Sequence, residues 1–292
     1  MSEPLRIGII GGSGLYQMDG LVDLREETVT TPFGSPSDAL IIGRLEGTDG
    51  VELVFLPRHG RGHRFTPSEV PYRANIFAMK TLGVSWIISV SAVGSLREDI
   101  APGDVVVIDQ FIDRTRGRAS SFFDNGIVAH IAFGDPVCGA LRSILLDAAS
   151  GVDATIHDGG TYVVMEGPAF STRAESNLYR SWGASVIGMT NLPEAKLARE
   201  AEISYATLAM ATDYDCWHPH HDAVTVDQVV AVLVANASLG QDIVRRAVPL
   251  IAAFEGPNPQ HSALENSIIT APDAIPAARR AALAPLVEKY LK

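Results

Sequence analysis

Short apolar runs rich in β-branched residues alternate with helical patterns along most of this chain, and this alternation restricts its fold more than any other feature. The runs include Leu5 to Ile10, Val51 to Leu56, Trp86 to Val90 and Ser204 to Ala209. Nearly continuous apolar strands are typical of a sheet covered on both faces, and interposed helices favour parallel connections. We therefore predict an α/β fold: a single domain with a central, mixed but mostly parallel β-sheet flanked by helices.

Other segments complete this pattern. Further strands are predicted at Val105 to Ile108, Tyr162 to Val164 and Ser185 to Ile187. Helices are predicted at Tyr72 to Leu82, Val137 to Ala149, Ala174 to Trp182, Pro193 to Ala201 and Asp222 to Phe254. We assign residues 1–254 to the main domain. Residues 255–292 are predicted to be a C-terminal extension, a Pro-containing loop followed by a helix at Ala277 to Tyr290, packed on the same domain or on a neighbouring subunit.

The composition excludes several classes of protein. With 292 residues, 47% of them hydrophobic, the chain can bury a large core and is not a disordered protein. A formal net charge of −11 argues against a nucleic-acid or anionic-membrane partner, since either needs a basic surface. Cys138 and Cys216 form no CxxC motif, and no apolar run is long enough to span a bilayer. We expect a cytoplasmic protein without a membrane or nucleic-acid partner.

Anion-binding chemistry is indicated after three predicted strands. In GIIGGSGLY, closely spaced glycines let backbone N–H groups converge, and Ser13 adds a hydroxyl. In LPRHGRGH, Arg58 offers a planar fork of donors and His59 a further donor. In ISVSAVGS, the strand is expected to leave Ser91 and Ala92 in a glycine-bearing turn. The alternatives are a tight turn, a solvated basic loop and an ordinary strand connection, respectively.

Two later motifs add groups that can contact a sugar or a base. Glu166, in an apolar context, is suited to hold a ribose hydroxyl or a catalytic arginine, and Phe170 can stack on a flat base. Thr190 lies just before a helix start at Pro193, so its hydroxyl either binds a ligand or caps the helix.

The segment ATLAMATDYDCWH places Asp213 and Asp215 after a buried strand. Residues i and i+2 of an extended segment point to the same side, so the two carboxyls are expected to face one spot. Burial and the neighbouring charge then favour retention of one proton, which gives a donor beside an acceptor. A polar turn or a metal site is the alternative. The nearby histidines are His218, His220 and His221, but no HExxH motif accompanies them, and we expect no metal.

In chain order, the strings IGIIGGSGLY, LPRHGRGHR, SVSAVGSLR, PGDVVVIDQFIDRT, EGPAFSTRAES, MTNLPEAKLAREA and MATDYDCWH resemble the methylthioadenosine phosphorylases of the purine nucleoside phosphorylase superfamily. The resemblance covers about residues 5–250. It implies phosphorolysis of 5′-methylthioadenosine to adenine and 5-methylthioribose 1-phosphate, with phosphate as co-substrate and no metal or organic cofactor. It also implies a homo-oligomer, either a trimer or a dimer of trimers, with active sites near the subunit interfaces.

The resemblance assigns roles to particular positions. It implies phosphate contacts from Ser13, Arg58, His59, Ser91, Ala92 and Thr190. It implies a ribose contact from the Met189 backbone amide and purine contacts from Asp213, Tyr214, Asp215 and Phe170, with Ser171 nearby as a specificity residue. It implies that Val226 lines the 5′-methylthio pocket, and further candidates there are Val229, Val230, His63 and His130, the last reaching a neighbouring subunit. Ser13 and Ser91 stand where many members have threonine, and both keep the hydroxyl.

Cleavage of a glycosidic C–N bond builds negative charge on the departing purine, so a protonated Asp213 aimed at N7 acts as general acid. An ionised Asp215 accepts a hydrogen bond from a 6-amino group and repels a 6-oxo group, which favours adenine. A broader purine nucleoside phosphorylase acting on adenosine or 6-oxopurine nucleosides is the nearest alternative. A non-catalytic nucleoside-binding sensor and a metal-dependent hydrolase are alternatives of different classes.

Overall fold

A computed structural model of the chain describes residues 3–12, 14–219 and 226–291, with backbone only for 226–235. In these ranges one sheet contains eleven strands. They are β1 (Leu5–Gly11), β2 (Leu21–Glu27), β3 (Leu40–Leu45), β4 (Val51–Pro57), β5 (Val84–Ser95), β6 (Val105–Val107), β7 (Gln110–Arg114), β8 (Ile156–Asp158), β9 (Thr161–Met165), β10 (Val186–Gly188) and β11 (Ser204–Asp213).

The sheet is mixed and mostly parallel, as the sequence predicts. The strand order is β2-β3-β4-β1-β5-β10-β9-β7, with β11 paired to β5 and β6, and β6 paired to β8. In the middle of the sheet, β1 pairs in parallel with β4 and β5, and β11 pairs in parallel with β5, whereas β2, β3 and β4 form an antiparallel edge. The predicted fold class is confirmed.

Strand β5 organises the centre of the sheet. It pairs with β1 as far as Ser89 and with β10 only from Gly94 onward, while β11 pairs with it along its length. Between these limits, Val90 to Val93 pair with β11 on one side, and no described strand pairs with the other side. Backbone polar groups need partners, so this one-sided stretch leaves N–H groups available to a ligand.

Helices cover both faces of the sheet. They are α1 (Tyr72–Thr81), α2 (Gly139–Ala149), α3 (Arg173–Ser181), α4 (Asn191–Glu200), α5 (Val226–Ala252), α6 (Ala277–Ala282) and α7 (Ala284–Val287). Helices α1 and α4 contribute to a first buried apolar cluster, α2 and α5 contribute to a second, and Tyr179 of α3 lies in a third. Alternate residues of β5 serve the first two clusters: Ile87 faces the first, Trp86 and Ile88 the second. Within the described ranges, every helix is too short or too polar to cross a bilayer.

The C-terminal segment packs into the first cluster. Leu264, Ile275, Leu283 and Leu286 are buried there together with Phe122. The predicted single helix from Ala277 to Tyr290 is wrong, because the chain forms α6 and α7 separated at Leu283. Pro285 lies in the first turn of α7. Since proline lacks an N–H group and restricts the preceding backbone, a new helix start is favoured there.

Several strand predictions also need correction. The expected turn after Ser91 and Ala92 does not form, because β5 continues to Ser95. Strand β11 likewise runs to Asp213, beyond the predicted end at Ala209. The sequence analysis missed β2, β3, β7 and β8.

Candidate active site

Two of the predicted phosphate-binding hydroxyls lie together. Ser91 is on the one-sided stretch of β5, and its Oγ is 3.3 Å from Thr190 Oγ1. Both side chains are buried. Thr190 stands immediately before α4, yet its side chain makes no capping hydrogen bond. The helix-cap alternative for Thr190 is therefore wrong, and its hydroxyl is directed toward Ser91. Ala92, which follows on β5, presents its backbone in the same unpaired stretch.

Arg58 ends up in a different arrangement from the open fork that the sequence suggested. Its Nε and Nη2 donate to Glu194 at 2.8 and 3.0 Å, and Nη2 also donates to Ser89 Oγ at 2.7 Å. Burial alone would lower the pKa of Arg58, but the charge and hydrogen bonds of Glu194 raise it. Only Nη1, which makes a 3.3 Å bond to the Val90 carbonyl, keeps capacity for an anion. Arg58 is thus a fixed cation beside the open stretch of β5.

His59 offers an acceptor where the sequence analysis expected a donor. Its Nδ1 lies 2.8 Å from the Phe65 carbonyl oxygen, which can only accept, so Nδ1 carries the proton. Burial lowers the pKa of His59 to about 4. The ring is therefore neutral at pH 7, and Nε2 is an acceptor. His63 stacks on His59 with ring centroids 4.3 Å apart.

Asp213 and Asp215 come together, although not by strand alternation. Strand β11 ends at Asp213, and Asp215 lies in the following turn with φ of 53°. The turn brings the Asp215 N–H to Asp213 Oδ1 at 2.7 Å, while Thr212 Oγ1 donates to Asp213 Oδ2 at 2.6 Å. The prediction of two residues on one extended face is wrong in its geometry and correct in bringing the two residues together.

Burial raises the pKa of both carboxyl groups. For Asp213 burial is opposed by the hydrogen bonds from Thr212 and the Asp215 amide. For Asp215 burial comes first, and the charge of Asp213 raises the pKa further. The neighbouring charge is therefore a smaller cause than the sequence analysis assumed.

Gly94 of β5 makes room for this acid pair. A Cβ at Gly94 would lie 3.0 Å from Asp213 Oδ1 and 3.2 Å from the Asp215 Cβ. Gly94 is opposite Asp213 in the register with β11, and Ser91 is opposite Ala209 on the same pair of strands. One strand therefore carries both the hydroxyl of the anion side and the contact with the acids.

The loop after β9 borders the acid pair. Ser171 is buried, its hydroxyl lies 3.5 Å from the Met165 sulfur, and the Cys216 thiol lies 3.3 Å from the Ser171 carbonyl oxygen. Phe170 is 54% exposed in this chain, so its ring can still be covered by a ligand. Tyr214, predicted to contact the purine, stacks on His218 with centroids 4.7 Å apart.

Arg118 was missed by the sequence analysis and connects several segments of the site. Its Nη1 donates to the Met189 carbonyl at 2.6 Å, and its Nη2 donates to the Glu166 carbonyl at 2.5 Å. Glu166 receives Arg118 Nε at 3.2 Å and also the Ser68 hydroxyl. The surroundings of Glu166 are thus polar and not apolar, and of its two expected partners, a ribose hydroxyl or a catalytic arginine, the structure shows an arginine. No motif pointed to Arg118, because it lies in the basic and outwardly ordinary string RTRGR.

The remaining predicted residues lie elsewhere or outside the described part. The backbone N–H of His130 donates to the Ser267 carbonyl at 2.9 Å, and no described contact joins its ring to Asp213 or Ser91. Ser13, His220 and His221 lie outside the described residues, as do the side chains of Val226, Val229 and Val230. Among the described residues, no group of three or more His, Cys, Asp and Glu side chains is arranged to hold a metal ion.

A cavity of about 780 Å³ lies apart from this arrangement. Its lining includes Asp109, Arg142 and Arg199, and none of the described candidate residues belongs to it. The candidate site lies instead along β5, where the hydroxyl pair, Arg58 and the acids converge.

The chain belongs to the phosphorylase superfamily, whose family model matches residues 6–249. This match confirms the superfamily resemblance. The S-methyl-5′-thioadenosine phosphorylase of Chloroflexus aurantiacus is 61% identical over 285 residues, which cover 97% of this chain and 98% of that protein.

Solved structures agree with this assignment. A methylthioadenosine phosphorylase from an antarctic soil metagenomic library has a TM-score of 0.92 and 51% identity, covering 98% of this chain and 100% of that one. The methylthioadenosine phosphorylase from Schistosoma mansoni in complex with adenine has a TM-score of 0.79 and 40% identity, covering 86% and 93%.

Proposed function

We propose that this protein is a pentosyltransferase that cleaves 5′-methylthioadenosine by phosphorolysis, releasing adenine and 5-methylthioribose 1-phosphate. The observation that carries the proposal is the layout of β5. Ser91 stands on its one-sided stretch, and Gly94 adjoins the Asp213–Asp215 pair. Three residues of strand span roughly 10 Å, a distance that a ribose ring can bridge between an anion and a purine. The names of the relatives point to the same reaction.

The phosphate side is built to hold an anion without a large excess of positive charge. The Ser91 and Thr190 hydroxyls and the free backbone N–H groups of β5 donate, and Arg58 Nη1 adds a charge-assisted bond. Because Glu194 already neutralises most of the Arg58 charge, and His59 is neutral, the site suits a phosphate that keeps a proton. Such a phosphate can donate its hydroxyl to His59 Nε2. Inorganic phosphate is thus a co-substrate, and we propose no metal or organic cofactor.

The base side supplies the proton. As the C–N bond breaks, positive charge grows on the sugar, where phosphate attacks C1′, and negative charge grows on the purine, where Asp213 protonates N7. Burial raises the pKa of Asp213, which favours the protonated form that the general acid needs. Asp215 accepts from the 6-amino group of adenine. The 5′-methylthio group is assigned to the start of α5, where Val226, Val229 and Val230 fall at helical spacing.

Comparison of substrates tests this assignment. Free base is measured after incubation with 5′-methylthioadenosine, adenosine and inosine in phosphate buffer. We expect the rates to fall in that order, because inosine presents an acceptor to Asp215 and adenosine places a hydroxyl in an apolar pocket. D215N is expected to narrow the gap between adenosine and inosine, since its amide can donate to a 6-oxo group. Inosine cleaved as fast as methylthioadenosine by the unaltered protein would contradict the assignment.

We further propose that the protein is a homo-oligomer, a trimer or a dimer of trimers, in which His130 reaches a neighbouring active site. Val128 and Ile269 are 46% and 63% exposed, and the Ile269 N–H donates to the Val128 carbonyl at 2.9 Å, two residues from His130. Adjacent exposed apolar side chains favour a subunit contact. Analytical ultracentrifugation of the unaltered protein should give a trimer or a larger assembly, and I269E should give a smaller species. L24E, on the edge strand β2, is the control and should sediment like the unaltered protein. A fully active monomer would contradict this.

We also propose a cytoplasmic location and a role in methionine and purine salvage. Cys138 and Cys216 are both free thiols, which suits a reducing compartment. Adenine and a thiomethyl sugar phosphate are the products that such salvage would reuse. Immunoblotting of fractionated cells tests the location, and recovery of the protein only in a membrane or secreted fraction would contradict it.

A further inference from the structure

Tyr162 lies behind the hydroxyl pair and has no part in the mechanism described above. It belongs to β9, is fully buried, and its ring packs against Phe111 with centroids 5.8 Å apart. Its hydroxyl oxygen is 3.1 Å from Ser91 Oγ. A tyrosine hydroxyl buried among apolar strands needs a partner, and here the partner is a residue proposed to bind phosphate.

The backbone is shaped to admit this side chain. Gly188, at the end of β10, lies against the Tyr162 hydroxyl, and a Cβ at Gly188 would overlap it. Gly188 is followed by Met189 and Thr190, so the glycine also lets the tyrosine hydroxyl approach the second hydroxyl of the pair. Three hydroxyls thus form one buried group: Tyr162, Ser91 and Thr190.

The direction of the hydrogen bonds follows from what an anion requires. Burial raises the pKa of Tyr162, so its hydroxyl stays protonated and can donate. A serine hydroxyl has one proton and two lone pairs. If Tyr162 donates to Ser91 Oγ, the Ser91 proton is turned away from the tyrosine and is free to point at an acceptor. The unprotonated oxygens of phosphate accept hydrogen bonds, so a Ser91 proton already turned toward one of them needs no reorientation when phosphate arrives.

A hydrogen bond that fixes the side chain matters more for a serine at position 91 than for a threonine. Threonine is restricted at χ1 by its branched Cβ, whereas serine moves among three staggered rotamers. The other described contacts of Ser91 Oγ are long, 3.3 Å to Thr190 Oγ1 and 3.5 Å to the Ala92 carbonyl. The bond from Tyr162 is the shortest of them.

We propose that Tyr162 is a positioning residue for phosphate, whose hydroxyl fixes the Ser91 rotamer and turns the Ser91 proton toward the bound anion. This inference rests on the proposed phosphorolysis. A purely structural role for Tyr162 makes a different prediction. If Tyr162 positions phosphate, loss of its hydroxyl raises the KM for phosphate alone, and a threonine at position 91 removes this effect.

Steady-state kinetics with Y162F test the proposal. This variant keeps the ring and removes only the hydroxyl. We expect the KM for phosphate to rise about three- to tenfold, the size of one neutral hydrogen bond, with the KM for methylthioadenosine unchanged. The second variant, Y162F/S91T, should return the KM for phosphate to within about twofold of S91T alone, because threonine supplies its own restriction at χ1.

Y179F is the matched control, since Tyr179 is a buried tyrosine in a different apolar cluster. It should leave both KM values unchanged. Circular dichroism and melting temperature establish that each variant is folded. If Y162F does not fold, Y162M replaces it, because methionine adapts to irregular packing.

Two outcomes would overturn the proposal while leaving phosphorolysis intact. The first is an unchanged KM for phosphate in Y162F. The second is an equal rise in the KM for phosphate and the KM for methylthioadenosine that persists in Y162F/S91T. Failure of the proposed function looks different, since the unaltered protein would then release base without phosphate. The kinetics therefore separate the two failures.

Discussion

At the scale of single residues, Asp213 and Asp215 combine burial with a hydrogen-bonded turn. Burial raises the pKa of each carboxyl, although both accept hydrogen bonds that favour the ionised form. A protonated acid beside a purine can then give up its proton at the moment the base departs.

D213N should lower kcat about 100-fold or more, within the usual range for loss of a general acid, because an amide can donate a hydrogen bond but cannot transfer a proton. Binding of methylthioadenosine should change little. Stopped-time assays of adenine release and equilibrium binding measure the two quantities. D153N, which alters an exposed aspartate, is the control. A D213N rate within threefold of the unaltered protein would rule out the general-acid role.

Glu200 links stability to pH. It is buried at the end of α4, accepts from the Phe122 N–H at 2.6 Å and from Ser121 Oγ at 2.8 Å, and burial raises its pKa to about 7 from an ordinary 4.5. Below pH 4.5 the carboxyl is protonated in both the folded and the unfolded chain. As pH rises to 7, the unfolded chain ionises first, so the contribution of Glu200 to the free energy of unfolding falls, by about 3 kcal/mol in total.

E200Q does not titrate, so it isolates this contribution. The stability of the unaltered protein relative to E200Q should increase by up to about 3 kcal/mol as pH falls from 8 to 5. Urea unfolding at several pH values measures the difference, and E255Q, at an exposed site, should show no such trend. A difference that stays constant between pH 8 and pH 5 would contradict the effect of burial on Glu200.

At the scale of elements, β5 joins the two halves of the site, and Gly94 is the position where it touches the acids. G94A should lower kcat/KM tenfold or more, because the new methyl group would press on Asp213 Oδ1 and the Asp215 Cβ. A misplacement of about 1 Å can cost about 100-fold in rate. G139A, at an open position at the start of α2, is the control. Full activity in G94A would show that the acids tolerate displacement.

The elements also show what sequence patterns can predict. The middle of β5 was found by its apolar run, but its end was not, because Ser91, Gly94 and Ser95 interrupt the apolar pattern and are held by pairing with β11 and β10. Strand β2 was missed for a related reason, since its residues from Asp23 onward are exposed.

The residues of the site also fall into those that sequence motifs indicate and those that they do not. Ser91, Thr190 and the acids lie in local motifs, so the sequence can indicate them. Arg118 and Tyr162 act through partners far away in the chain, and no local pattern marks them. The left-handed backbone conformation of Asp215 also depends on the packing around Gly94, and the spacing of the two acids in the sequence does not reveal this packing.

At the scale of the whole molecule, the C-terminal segment shares the core of the sheet. Leu283 is fully buried between α6 and α7. L283A should lower the free energy of unfolding by about 2–5 kcal/mol, the usual cost of removing a buried leucine. L178A, at an exposed leucine of α3, should cost much less. Urea unfolding followed by circular dichroism measures both, and a separate early transition in the unaltered protein would show that the segment folds independently.

The fate of phosphate tests the central claim most directly. The purified protein is incubated with methylthioadenosine and phosphate, adenine is quantified, and the sugar product is followed by phosphorus NMR. We expect one 5-methylthioribose 1-phosphate for each adenine released, and no adenine once phosphate is removed. Adenine released at the same rate without phosphate, together with free methylthioribose, would contradict phosphorolysis.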